Sequence, residues 1–288
     1  MAYASFSGLL KAAEEQGSLA KAILELETLE SGMTSEDVRA HMARTLEAMR
    51  DAIDEGSNPA IKSRTGLTGG DGARLLAADG RTRPLGGLFA RALGSAVATA
   101  EVNAAMGRIV AAPTAGASGV VPGVLLSVAA EYKKTDDEII DALFVSAGIG
   151  GVFAARATLS GAAGGCQAEI GTGAAMAAGA VTSLLGGTPE QVGHAASLAM
   201  QGLLGLVCDP VAGLVEIPCV VRNATGAAVA LAGAEMALAG VVFPIPLDEV
   251  VGAAARVGAA ISPNLRETAR GGLAITPTGL KIACSLDK

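Results

Sequence analysis

Four cysteines, Cys166, Cys208, Cys219 and Cys284, are the side chains in this sequence best suited to chemistry. None belongs to the C-x-x-C pair of a zinc ribbon or a thiol redox site, and on spacing alone all four read as small buried hydrophobes. Their neighbours argue for more. Cys166 follows Gly164 and Gly165, Cys208 precedes Asp209 and Pro210, and Cys219 follows Pro218, so three of the four fall where a regular helix is interrupted. Thiolates held on irregular, Gly/Pro-rich backbone can converge on an iron-sulfur cluster while free amides point toward its sulfurs. A core cysteine needs no such surroundings.

Two loops carry hydroxyls among glycines, Thr65 to Asp71 and Thr114 to Ser118. Their hydroxyls (Thr65, Thr68, Thr114, Ser118) and the exposed amides beside glycines such as Gly66 suit a carboxylate, or else serve ordinary turns and helix packing. Asp71 either receives an ammonium group or caps a helix. Glu169 and Glu216 each stand three residues from a cysteine, in range of a direct or a supporting role. The two histidines are less promising: His41 lies between Arg39 and Arg44 on a surface, and His194 is packed among Val192, Ala195, Ala196 and Leu198.

The elements that must position these groups are helical. Thr34 and Asp37 sit at capping-box spacing, followed by Val38, Met42, Leu46, Met49 and Ile53 on one helical stripe. Thr135 with Glu138, Thr188 with Pro189 and Gln191, and Ser262 with Pro263 predict three more helix starts. Alternating strand patterns are scarce, and Leu203 to Cys208 fits either state. Gly-rich turns are expected at 66–72, 114–123, 161–173 and 202–213. The fold class is therefore all-α: one helical domain with Gly-rich loops. The charged residues 1–60 form an N-terminal helical elaboration of the Ala/Gly-rich unit 61–288.

Composition narrows the function classes. The chain is 51% hydrophobic but only 2% aromatic, without Trp and with 39 Gly, so its core must be built from small side chains whose backbones approach closely. A net charge of -7 without a Lys/Arg run argues against nucleic acid or an acidic membrane surface. The uncharged stretches 109–130 and 170–189 are long enough to cross a bilayer, yet they contain prolines and lack aromatic belts and basic flanks. Lys11, Glu14 and Glu15 interrupt any apolar export signal, so a cytoplasmic location and no membrane are expected.

The stretch GLLGLVCDPVAGLVEIPCVVRN from Gly202 and the earlier GGCQAEIG resemble the cluster motifs of the iron-sulfur L-serine dehydratases, specifically the α chain or α domain. The resemblance continues in TGLTGGDGARL from Thr65, PTAGASGVVPG from Pro113 and RETARGGLAITPTG from Arg266, and covers about Ile61 to Gly279. Five motifs in order make it specific. Thr65 departs from the serine common at that place, but a hydroxyl is kept.

The resemblance implies a lyase that converts L-serine to pyruvate and ammonia, with a role in serine degradation and gluconeogenesis, on an oxygen-sensitive 4Fe-4S cluster. Its three ligands would be Cys166, Cys208 and Cys219, with one iron open to substrate. Substrate would be held by Thr65, Gly66, Thr68, Asp71, Thr114, Ser118 and Asn223. A separate β chain is the implied partner. The general base is open: the β chain, or a lysine such as Lys62. Cys284, near a short tail expected to be mobile, is either a bystander or a fourth ligand that substrate displaces. A cysteine desulfidase and a non-catalytic iron-sulfur protein are the competing readings.

Overall fold

A computed structural model describes residues 4–78 and 86–286. Among them are thirteen α-helices and no strand. Three helices, α1 (Phe6–Gln16), α2 (Leu19–Ser31) and α3 (Ser35–Gly56), precede the first Gly-rich loop, which leads into the short α4 (Asp71–Ala77). Then come α5 (Gly87–Ala104), α6 (Val120–Glu131), α7 (Asp136–Arg156), α8 (Gly161–Gly164), α9 (Thr172–Leu184) and α10 (Pro189–Gln201). A long irregular stretch separates α10 from α11 (Cys219–Leu238), which is followed by α12 (Leu247–Ala260) and α13 (Pro277–Leu286).

Local chemistry explains several of the starts. The Thr34 hydroxyl accepts the Asp37 N–H and opens α3. Complete capping boxes, Thr135 with Glu138 and Thr188 with Gln191, open α7 and α10. Each cap satisfies amides that have no helical partner, a contribution of about 1 kcal/mol.

Ser262 and Pro263 do not open a helix as their types predict. They give a single 3-10 turn, Pro263–Leu265. The Cys208 N–H then donates to the Leu265 carbonyl at 2.9 Å, and the Glu267 N–H donates to the Cys208 carbonyl at 2.7 Å. This long-range pairing takes the backbone groups that a helix would have used.

Leu203 to Cys208 is neither helix nor strand, but turns that end in an isolated parallel bridge between Cys208 and Arg266. The 161–173 stretch is more ordered than a turn: α8, a π-helical turn at Gln167–Gly171 and the start of α9. Residues 281–286 of the tail 281–288, expected to be mobile, are helical and belong to α13, while 287 and 288 lie outside the described residues. Pro277 occupies the first position and the Thr276 hydroxyl accepts the Gly279 N–H, the chemistry that also opens α10.

Helix α9 lies at the centre, against α6, α7, α10 and α11. Every residue in it except Ser183 is buried, so it needs small side chains on all faces. The close approach is visible where α6 crosses α5: a Cβ on Gly123 would sit 2.7 Å from the Ala96 nitrogen. Leu9, Ile23 and Leu46 of the first three helices join the same apolar core as Phe144 and Phe153 of α7. Of the described helices, α7 is long and apolar enough to cross a membrane by length and composition, and 67% of that span is buried inside the protein.

Candidate functional site

Three of the cysteines are buried and Cys284 is exposed. Cys166 immediately precedes the π-helical turn and follows Gly165, whose φ of +75° directs the chain into it. Gln167 fixes this turn from inside: its side chain accepts the Gly205 N–H and donates to the Ala254 carbonyl, each at 2.8 Å. Cys208 is pinned by the backbone bridge to residues 265–267. Cys219 begins α11, and the amide of Asn223 one turn later donates to its carbonyl.

These segments bring the thiols to one place. Cys166 and Cys208 are hydrogen-bonded to each other, which pulls the Cys166 thiol down and pushes Cys208 up. Burial pushes Cys219 up to about 12. Glu169 completes the cluster of groups. Gly161 lies against both it and Cys208, since a Cβ there would lie 2.5 Å from a Glu169 oxygen and 3.1 Å from the Cys208 sulfur. Burial raises the Glu169 carboxyl above its ordinary range, partly offset by the Thr114 hydroxyl, which donates to it at 2.7 Å.

The hydroxyl loops flank this centre. Thr65 donates to both oxygens of Glu216 at 2.9 Å and Thr68 donates at 3.2 Å, with Gly66 forming the turn between them. Asn223 ties the second loop to α11: its side chain donates to the Gly116 carbonyl and accepts the Gly119 N–H, both at 2.9 Å. Ser118 is fully buried, and its hydroxyl has no partner among the described residues.

Other expected site residues stand apart. The Asp71 carboxylate faces Arg74 at 2.6 Å on the surface, and its backbone N–H donates to Glu101. Lys62 is exposed. Cys284 lies on the exposed side of α13, a helix that packs on the Val211–Gly213 turn between Cys208 and Cys219. His41 is exposed on α3 and His194 half-buried on α10.

Sequence reasoning missed two supports. Asp209 is buried and accepts both the Arg222 guanidinium and the Leu273 N–H at 2.7 Å. Arg222 also donates to the Val207 carbonyl at 2.9 Å and lies close enough to Cys166 to favour its thiolate. Glu101, buried in α5, accepts the Asp71 and Gly72 N–H groups at 2.8 and 3.1 Å and so caps α4 from another helix. The only signal available was position: Asp209 adjoins a cysteine, and Arg222 is one helical turn from another.

The chain is similar to known proteins over most of its length. The family described as serine dehydratase alpha chain matches residues 14–274. A probable L-serine dehydratase alpha chain of Bacillus subtilis (strain 168) is 49% identical over 259 residues, 90% of this chain and 85% of that protein. The L-serine dehydratase alpha chain of Peptoniphilus asaccharolyticus is 42% identical over 261 residues, 90% of this chain and 89% of that protein. An L-serine dehydratase of Streptomyces coelicolor is 38% identical over 278 residues, 93% of this chain but 59% of that longer protein. With all three buried thiols and both hydroxyl loops inside the matched span, the chain belongs to the serine dehydratase alpha-chain family.

Proposed function

We propose that the chain dehydrates and deaminates L-serine to pyruvate and ammonia, with a 4Fe-4S cluster held by Cys166, Cys208 and Cys219. The observation that carries this reading is the convergence of three buried thiols from separate segments on one carboxylate and one guanidinium. The donor set suits such a group. The donors are thiol sulfurs, the kind that iron-sulfur clusters use, and three of them would leave one iron of a 4Fe-4S cluster without a cysteine. When bound, the cluster supplies a Lewis-acidic iron that stabilises the departing hydroxyl oxygen.

The chain's own residues do the rest of the positioning. Asn223 holds the second loop against the first turn of α11, and Glu216, gripped by Thr65 and Thr68, fixes the first loop to the segment entering Cys219. Loss of the α proton and of hydroxide gives aminoacrylate, which tautomerises to an imine and hydrolyses to pyruvate and ammonia. A separate β chain is the partner, and the α-proton acceptor lies either there or in a lysine of this chain such as Lys62. Two relatives are named alpha chains, and the Streptomyces relative carries additional sequence beyond the matched region.

Anaerobic reconstitution with iron and sulfide, then a pyruvate assay with serine and with cysteine, in the presence and absence of a β chain, tests this reading. Pyruvate from serine supports it. Turnover of cysteine alone makes the protein a desulfidase, and a cluster of four permanent cysteines without turnover makes it non-catalytic.

A further inference from the structure

Most of the polar groups expected to hold substrate are already engaged within the protein. Thr65 and Thr68 donate to Glu216, Thr114 donates to Glu169, the Asn223 side chain is bound to three backbone groups, and Asp71 faces Arg74. Arg222 is taken up by Asp209 and Val207. The acid side of the site is heavily represented, with Glu169, Glu216 and Glu267 all close to the thiol loops. A substrate carboxylate entering this field needs an uncommitted donor, and preferably a cation.

Such donors meet beside the first hydroxyl loop. A cavity of about 580 Å³ opens between the first hydroxyl loop, the end of α5 and the segment 213–216 that leads to Cys219. Arg64 is the only cation among the described residues that line it, and Asn103 and Glu216 line it too. Neither the Arg64 guanidinium nor the Asn103 amide has a hydrogen-bond or ion-pair partner among the described residues. They are held together by backbone: the Arg64 N–H donates to the Ala104 carbonyl at 3.4 Å, beside Asn103. The cavity thus presents two free donor groups at one point and a carboxylate, Glu216, at another.

We propose that this cavity is the α-amino-acid recognition site of the reaction proposed above, with Arg64 and Asn103 taking the substrate carboxylate and Glu216 facing its ammonium. The planar guanidinium matches a carboxylate in a two-point geometry that an ammonium side chain cannot reproduce. Thr65 and Thr68 are then positioning residues, which hold Glu216 in place rather than touching substrate. Any competing amine without a carboxylate loses the Arg64 contact, so the cavity selects amino acids over simple amines. The inference rests on the lyase reading, and its test separates the two.

The test uses the cluster-loaded full chain with its β chain, and compares the parent with R64Q, R64K and N103A. Serine turnover is measured together with inhibition by L-alanine, which keeps both charged groups but lacks the leaving hydroxyl, and by ethylamine, which lacks the carboxylate. R64Q is expected to raise KM for serine roughly 30-fold, as loss of one charged hydrogen bond implies, with kcat within about threefold. The inhibition constant for L-alanine rises in parallel and that for ethylamine does not move. R64K lies between parent and R64Q. Unchanged serine KM and L-alanine inhibition in R64Q, with parental cluster absorption, overturns the anchor and leaves the lyase reading intact. If the parent does not turn over serine but binds L-alanine by calorimetry, and R64Q loses that binding, the lyase reading falls and the recognition site stands. Failure of the parent to bind L-alanine by either measure overturns the site.

Discussion

Arg222 and Asp209 meet across 2.7 Å with little exposure of either side chain, 14% and 4%. Because Arg222 also holds Val207, the helix that begins with Cys219 grips the residues on both sides of Cys208. Removing one partner leaves the other charge buried and unpaired. Asp209→Ala is therefore expected to cost roughly 3–5 kcal/mol of stability in urea melts, and the double variant Asp209→Ala/Arg222→Met appreciably less than the sum of the two single changes. Additive losses would show that the pair acts as two independent side chains.

Each of Cys166, Cys208 and Cys219 is expected to be necessary for the cluster. Replacing any one by Ala should abolish the broad visible absorption of the reconstituted protein and its activity, while the far-ultraviolet helical signal persists. A full iron and sulfide complement in all three variants would falsify the ligand assignment.

Air should inactivate the reconstituted enzyme, because an iron without a cysteine is the first to be lost. Ferrous iron with a thiol should restore activity, and iron analysis should follow both changes. Activity that survives air and exhaustive chelation points to a mechanism without the cluster.

Glu101 offers a test away from the thiols. Burial raises its carboxyl above the ordinary value of 4.5, while the Asp71 and Gly72 amides oppose that shift. A carboxyl raised in the folded state adds stability that is fully present below 4.5 and is lost as pH climbs through the raised value. Glu101→Gln cannot titrate, so the advantage of the parent over this variant in urea melts should shrink as pH is raised from below 4.5 toward neutrality. Glu101→Ala leaves two amides of α4 without an acceptor and should cost about 1–3 kcal/mol per amide. A parent-to-Gln difference that is flat with pH contradicts the raised carboxyl.

Cys284 is proposed to reach the open iron when serine is absent. Cys284→Ser should leave the cluster assembled, alter the substrate-free spectrum and speed loss of activity in air severalfold. Identical spectra and inactivation rates in parent and variant return Cys284 to a bystander.

What could be read from the sequence was what local chemistry determines. Thr135 and Thr188 each find their partner three residues on, so their helices follow from a few adjacent side chains. The cysteines were conspicuous because Gly and Pro surround them. The failures involve partners far along the chain. Nothing near Ser262 announces that Leu265 will be claimed by Cys208, and nothing in the Ala-rich α5 shows that Glu101 caps a helix 30 residues earlier. Helix α13 is different: Thr276 and Pro277 carry the same start signal as Thr188 and Pro189, and it was overlooked because the segment ends in polar residues. Arg64 and Asn103 were invisible for a further reason, since a free donor is defined by the partners that its neighbours have already taken.

The tie between Asp209 and the Leu273 amide spans 64 residues, and it sets a timetable for synthesis. At ribosomal speeds of about 5–20 residues per second, Asp209 and the adjacent Cys208 leave the ribosome about 3–13 s before their cover exists. During that interval the nascent thiols are open to oxidants and stray metals. Iron and sulfide delivered before Leu273 has emerged would meet an unfinished cradle, so cluster assembly at Cys208 should follow synthesis of this later segment.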